Sequence, residues 1–100
     1  VNLTGSNMNY VNLEETSMQN AILNNCRMNQ ANLSSCKLQK ASFQNAQVSG
    51  ANLQATTLIK ADFTGANLIK TKFTGAVMID ANLADSMIAG ADFTDTNLFR

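Results

Sequence analysis

One constraint dominates this sequence: a large apolar residue stands at every fifth position, without a break, from Leu3 to Leu98. Cut in fives from residue 1, the chain reads as twenty blocks with no insertion or deletion. The third position holds Leu, Met, Phe, Val or Ile throughout, and the first position is small, Ala, Ser, Thr or Cys, except at Val1 and Val11. The second position favours Asn or Asp, as at Asn2, Asn12, Asn32, Asn52, Asp62, Asn67, Asn82, Asp92 and Asn97. A period of five suits neither ordinary element. On an α-helix, successive large residues would advance about 140° and wind around the whole surface. On a flat strand they would alternate between the two faces. To keep all of them on one side the chain must bend once per block, and bends of one hand make a coil that stacks on its neighbours.

The small first position then shares the interior with the large third position, because corners converging on a narrow axis leave little room and close packing penalises overfilling. The other three positions face outward. Gly5, Gly50, Gly65, Gly75 and Gly90, all the glycines of the chain, fall at the fifth position. Glycine, Asn and Asp tolerate the backbone angles of tight corners, so the outward residues double as turn chemistry. Where the second position carries Ile22, Arg27, Lys37, Lys72, Val77 or Met87, the block loses a polar corner residue, which leaves its local turn type open and the core unchanged.

The blocks AILNN, ANLSS, ANLQA, ADFTG, ANLIK, ANLAD and ADFTD resemble the A(D/N)LXX consensus of the pentapeptide repeat family. The match runs in register over the whole chain. It implies an all-β fold, a right-handed quadrilateral parallel β-helix with four blocks per coil, hence about five coils over a single domain, residues 1–100, cut from a longer chain. At the spacing of paired strands such a rod is about 24 Å long. The residues themselves add a recurrence of twenty: Ala21, Ala41, Ala61 and Ala81 align, as do Phe43 with Phe63 and Phe73 with Phe93, which predicts aromatic ladders between coils.

Catalytic chemistry has few candidates. There is no histidine, and Glu14, Glu15, Asp80, Asp85 and Asp95 fall at outward positions where nothing shifts them toward acid–base work. Cys26 and Cys36 occupy first positions two blocks apart, so they point inward on opposite sides of one coil, as small apolar fillers rather than a redox or metal pair. No metal or cofactor is expected, and the reading is non-enzymatic. The sequons at Asn2 and Asn32 arise from the repeat itself and carry no weight.

The seven Lys plus Arg balance seven Asp plus Glu, which leaves no basic footprint for nucleic acid. The longest apolar run, Ala76 to Ile79, is far short of the roughly 20 residues of a membrane span. No secretory leader is visible in these residues, and the resemblance points to a bacterial cytoplasmic protein, with delivery into a host cell as the alternative. Lys37, Lys40, Lys60, Lys70 and Lys72 form a central basic band, read here as a solubilising belt. The most specific anomaly is apolar residues at the outward fourth position: Ile59, Ile69, Ile79 and Phe99. Ile59, Ile79 and Phe99 are spaced by twenty and stack on one face with Val77 beside them, a candidate protein-contact stripe. The first and last coils expose backbone groups that would pair with further chain or with another copy, so a homodimer or end-to-end self-association is also expected.

The function expected is thus a scaffold that presents outward side chains to a protein partner. The resemblance also implies two alternatives: protection of a topoisomerase by imitating duplex DNA, which zero net charge opposes, and the repeat domain of a secreted bacterial effector.

Overall fold

Each five-residue block of the computed structural model, which describes residues 1–98, repeats one conformation: an extended segment centred on the second position and a tight turn at the fourth and fifth. Every second-position residue pairs in parallel with the residue twenty further on, from Asn2 with Ile22 to Val77 with Asn97. Four blocks therefore close one coil. Coil 1 is residues 1–20, coil 2 is 21–40, coil 3 is 41–60, coil 4 is 61–80, and coil 5 begins at 81. The molecule is a right-handed quadrilateral β-helix with no α-helix among the described residues. Its extents of 31 × 26 × 23 Å make it a squat block rather than a long rod. Five coils advance only about 24 Å, roughly the width of one coil.

The turn is set by a carbonyl and a backbone angle. The third-position carbonyl accepts from the N–H three residues on, as in Ala41 N to Leu38 O at 3.0 Å, and the fifth residue between them takes a positive φ. That is the type II pattern, in which the residue after the corner is left-handed. Fifth-position residues with side chains adopt it as readily as glycine: φ is 63° at Tyr10, 62° at Glu15, 57° at Ala55 and 60° at Lys60. The ladder imposes a conformation that local preference disfavours by about 1–2 kcal/mol per residue.

The role of the second-position Asn or Asp follows from counting backbone donors. In a central block such as 21–25, the N–H of Ile22 reaches back to Val1 O at 2.9 Å. Those of Leu23 and Asn25 reach forward to Ser42 O and Gln44 O, at 2.7 and 2.9 Å. The fourth-position N–H has no coil neighbour to bond. A second-position carboxyl or amide oxygen takes it, as in Ser34 N to Asn32 Oδ1 at 3.0 Å, Gln54 N to Asn52 Oδ1 at 2.9 Å and Thr64 N to Asp62 Oδ1 at 2.9 Å. Such a buried or half-buried donor is costly to leave unmet. Where the second position is Arg27, Ser42 or Gln47, an Asn at the fourth position of the coil before supplies the oxygen instead: Asn29 N to Asn9, Gln44 N to Asn24 and Ser49 N to Asn29.

The turn type, left open where Asn or Asp is missing, is the same in those blocks. Blocks with Ile22, Arg27, Lys37, Lys72, Val77 and Met87 keep a left-handed fifth residue, with φ between 59° and 72° at Asn25, Gln30, Lys40, Gly75, Asp80 and Gly90. The i-to-i+3 bond and the ladder fix the turn; the second-position side chain only satisfies a donor.

The core is the stack of first and third positions in coils 2 to 4, where Leu23, Leu33, Leu38, Phe43, Leu53, Leu58, Phe63, Leu68 and Phe73 are fully buried among alanines. Both expected aromatic ladders form. Phe43 and Phe63 stack with centroids 4.6 Å apart, and Phe73 and Phe93 at 5.1 Å. The two ladders also meet across the interior, where Phe63 stands edge-on to Phe73 at 5.8 Å. First-position hydroxyls and thiols that enter this core spend their proton on a third-position carbonyl: Thr71 Oγ1 to Val48 O at 2.7 Å, Thr56 Oγ1 to Leu53 O at 2.7 Å. In coils 1 and 5 the same positions are only partly covered, since each has a neighbour on one side alone.

Candidate interaction surface

Stacking sorts the outward residues into four flat faces, one for each block of the coil. Face one comprises residues 2, 4 and 5 and their equivalents at steps of twenty; faces two, three and four start from residues 7, 12 and 17 in the same way. Because the register is fixed at twenty residues by the ladder, neighbours down a face sit about 4.8 Å apart. A face is therefore a short grid of side chains on a backbone that cannot shear.

Ile59 and Ile79 stack on face four, and Val77 lies beside them on the same face, as the sequence spacing requires. All three are half-buried rather than fully exposed, because each is flanked by residues of the coils above and below. Phe99 lies outside the described residues. Ile69 belongs to face two and is separated from this group by an edge of the coil. Among the described residues the exposed large apolar side chains are elsewhere: Val1 and Tyr10 in coil 1, Ile22 on face one of coil 2, and Met87, Ile88 and Leu98 in coil 5. Ile88 and Leu98 are core-column residues laid open by the end of the stack.

The central basic band divides among faces. Lys37, Lys40 and Lys60 are exposed on face four, with Asp80 in the column of Lys40 and Lys60. Arg27 and Lys70 are on face two, which carries no acidic residue. Face one holds Asp62 and Asp85 with no cation, and face three sets Glu14, Glu15, Asp92 and Asp95 against Lys72. Zero net charge thus conceals two acidic faces opposite one another and two basic ones. Rows of twenty display this sorting; rows of five hide it, which is why the lysines read as a belt.

Two aspartates are tuned by their neighbours. Partial burial opposes ionisation of Asp62, but Gln44 Nε2 donates to it at 2.6 Å and the Thr64 hydroxyl and N–H also donate, so its carboxyl lies below the usual range. The Thr94 hydroxyl, then its N–H, lowers Asp92 in the same way, with smaller contributions from the Thr74 side chain and then Lys72. Both shifts stabilise a structural acceptor. Cys26 and Cys36 are buried and unpaired. Burial pushes both thiols up despite partial relief from nearby backbone N–H groups. Each thiol donates to a carbonyl of coil 1, Leu3 O and Leu13 O, at 2.9 Å, the behaviour of a core filler.

Among the described residues, no cavity opens in the surface and no three His, Cys, Asp or Glu side chains converge as metal ligands. Glu14, Glu15, Asp80, Asp85 and Asp95 are all solvent-exposed. No described helix is long and apolar enough to cross a membrane. Sequence reasoning missed one polar feature of face four. The Oε1 of Gln39, in the column of Ile59 and Ile79, is buried without a hydrogen-bond donor among the described residues.

Comparison with known proteins agrees with this architecture. A family profile described as a pentapeptide repeat region matches residues 16–93. A pentapeptide repeat protein of the Arabidopsis thaliana thylakoid lumen is 35% identical, with a TM-score of 0.53 over 97% of this chain and 68% of that one. Rfr23 from the cyanobacterium Cyanothece 51142 is 22% identical with a TM-score of 0.47, covering 97% of this chain and 87% of its own. HetL, a protein of Nostoc involved in regulating heterocyst differentiation, is 26% identical with a TM-score of 0.44, and this chain spans 50% of its length. No curated protein sequence matches. With the period of five, the four-block coil and the profile match in accord, the chain belongs to the pentapeptide repeat family.

Proposed function

We propose that this protein is a non-enzymatic scaffold that docks a protein partner on face four, with Ile59, Val77 and Ile79 as the contact residues. The observation that carries the reading is the isoleucine column: it stands at a position whose turn chemistry asks for nothing apolar, and Gln19 and Gln39 hold the same column in coils 1 and 2. Half-buried isoleucines on a fixed ladder lose little conformational freedom on docking, so their remaining exposed area converts efficiently into affinity.

The topoisomerase-protection alternative requires a surface with the continuous negative charge of duplex DNA. Faces two and four, which carry Arg27, Lys70, Lys37, Lys40 and Lys60, argue against it. A gyrase supercoiling assay separates the two readings: protection or inhibition at stoichiometric protein would favour mimicry. The docking reading is tested with Ile59→Thr plus Ile79→Thr, which keeps β-branched side chains and removes apolar area. With the chain immobilised and exposed to cell lysate, protein retained by the unsubstituted chain should be lost from the variant while the β-type circular dichroism spectrum is kept; undiminished retention by the folded variant would remove the stripe from consideration.

A further inference from the structure

We infer that the partner of face four is an acidic protein segment that brings apolar anchors with it; this rests on the docking reading above and assigns the chemistry of the occupant. Lys37, Lys40 and Lys60 lie on the same face as Ile59, Val77 and Ile79, towards the coil 2 and coil 3 end of the apolar group. Lys40 and Lys60 are stacked about 4.8 Å apart by the ladder, with like charges held together by the backbone and not by any mutual attraction. Asp80 follows Lys60 in the same column, so the face keeps an excess of two cations over its described residues, and a carboxylate placed between Lys40 and Lys60 relieves the repulsion at that end. Lysine stems lie along apolar surface while their heads reach for a partner, so the three ammonium groups border the isoleucines at the coil 2 and coil 3 end, while Asp80 borders them at the coil 4 end. A basic rim beside an apolar centre selects by sign: it speeds the approach of acidic segments and rejects basic ones.

Gln39 adds a second feature in the same place. Its Oε1 is buried in the isoleucine column without a donor among the described residues, and such an acceptor is costly in the free protein. A segment laid along the column offers backbone N–H groups to an amide turned outward, which gives docking a polar contact beside the apolar ones. Anionic lipid is a poorer occupant. The isoleucines sit half-buried and flush with the ladder, so they cannot insert into a bilayer, and among the described residues this face carries no aromatic side chain to anchor at an interface.

The test uses fluorescence anisotropy with the whole chain and three labelled peptides of equal length: alternating Glu and Leu, alternating Glu and Ser, and alternating Lys and Leu. The Glu–Leu peptide should bind, more weakly as salt rises, and bind better than either of the others. Lys37→Glu, Lys40→Glu and Lys60→Glu together should weaken it about tenfold or more. Arg27→Glu plus Lys70→Glu, on face two, should leave binding within about twofold after the same kind of charge change. The triple Lys→Gln variant serves if charge reversal perturbs folding. Loss of binding in the isoleucine variant without loss in either lysine variant would retain docking and overturn the assigned charge. Indifference to both sets would overturn both. The charge assignment also fails if the Lys–Leu peptide binds as well as Glu–Leu, or if Glu–Leu does not bind. Lysine-dependent sedimentation with phosphatidylserine vesicles, in the absence of peptide binding, would replace the protein segment by a lipid surface.

Discussion

Gly65 and Gly75 have the same backbone and different neighbours, and so isolate what glycine contributes to this fold. Both have φ near 71°, but a Cβ on Gly75 meets open space whereas one on Gly65 runs into the Oδ1 of Asn45 in the coil before. Ala55 already occupies an equivalent corner at φ 57°, so Gly75→Ala should cost no more than about 1–2 kcal/mol. Gly65→Ala should cost more, by roughly 0.5–1.5 kcal/mol, because the Asn45 amide must leave its rotamer. Urea titration of both variants checks this, and adding Asn45→Ala should bring Gly65→Ala back to the level of Gly75→Ala. Gln39 is the opposite case, a side chain whose removal should help. Gln39→Leu deletes a buried acceptor without a donor and extends the apolar column above Ile59, so stability should rise by about 1 kcal/mol in the same assay.

A single five-residue block leaves one backbone donor unmet, and the second-position oxygen settles it; that is where acid should strike. Asp62 and Asp92 each accept from the N–H and the hydroxyl of the threonine two residues on. Hydrogen bonding holds both carboxyls below their ordinary range. A carboxyl depressed in the folded state contributes stability that is fully present above its unfolded pKa of about 3.9 and is lost as pH falls through the lower folded value. Below about pH 4 the thermal unfolding midpoint should therefore fall. Asp62→Asn plus Asp92→Asn, which keeps an oxygen acceptor but does not titrate, should flatten that acid limb. An unchanged limb would assign acid sensitivity to other carboxylates. The consensus at this position was legible in the sequence as a preference for Asn and Asp, but its purpose was not. Only the bonds show that Asn9, Asn24 and Asn29 perform the same service from the neighbouring coil, since that substitution runs between residues twenty apart.

At the scale of the molecule, stability is a stack of coil-to-coil interfaces, so identical changes should have graded costs. Leu53, in coil 3, is fully buried between two coils, whereas Leu13, in coil 1, has a neighbour on one side only. Leu53→Ala should cost about 2–5 kcal/mol, the range for a core cavity, and Leu13→Ala distinctly less. Amide hydrogen exchange should follow the same order, slowest in coil 3 and fastest towards coils 1 and 5, as expected where contacts join only adjacent repeats. Uniform protection along the stack would contradict that picture. The squat 31 × 26 × 23 Å envelope also means that the four side faces are comparable in size to the ends.

The sequence alone determined the period and the inward columns, because a strict repeat of five leaves the backbone one way to keep twenty large residues on one side; the aromatic ladders also needed the recurrence of twenty that Phe43, Phe63, Phe73 and Phe93 display. Cys26 and Cys36 were legible as core fillers for the same reason. The number of blocks per coil came from family resemblance, and the grouping of outward residues depends wholly on it. The tertiary structure decided which charges share a face, that Ile59, Val77 and Ile79 lie half-buried beside Lys37, Lys40 and Lys60, and that the turns persist without Asn or Asp. These are properties of register. Hydrogen bonds between coils set them, and those bonds join residues that are neighbours in space while twenty positions apart in the chain.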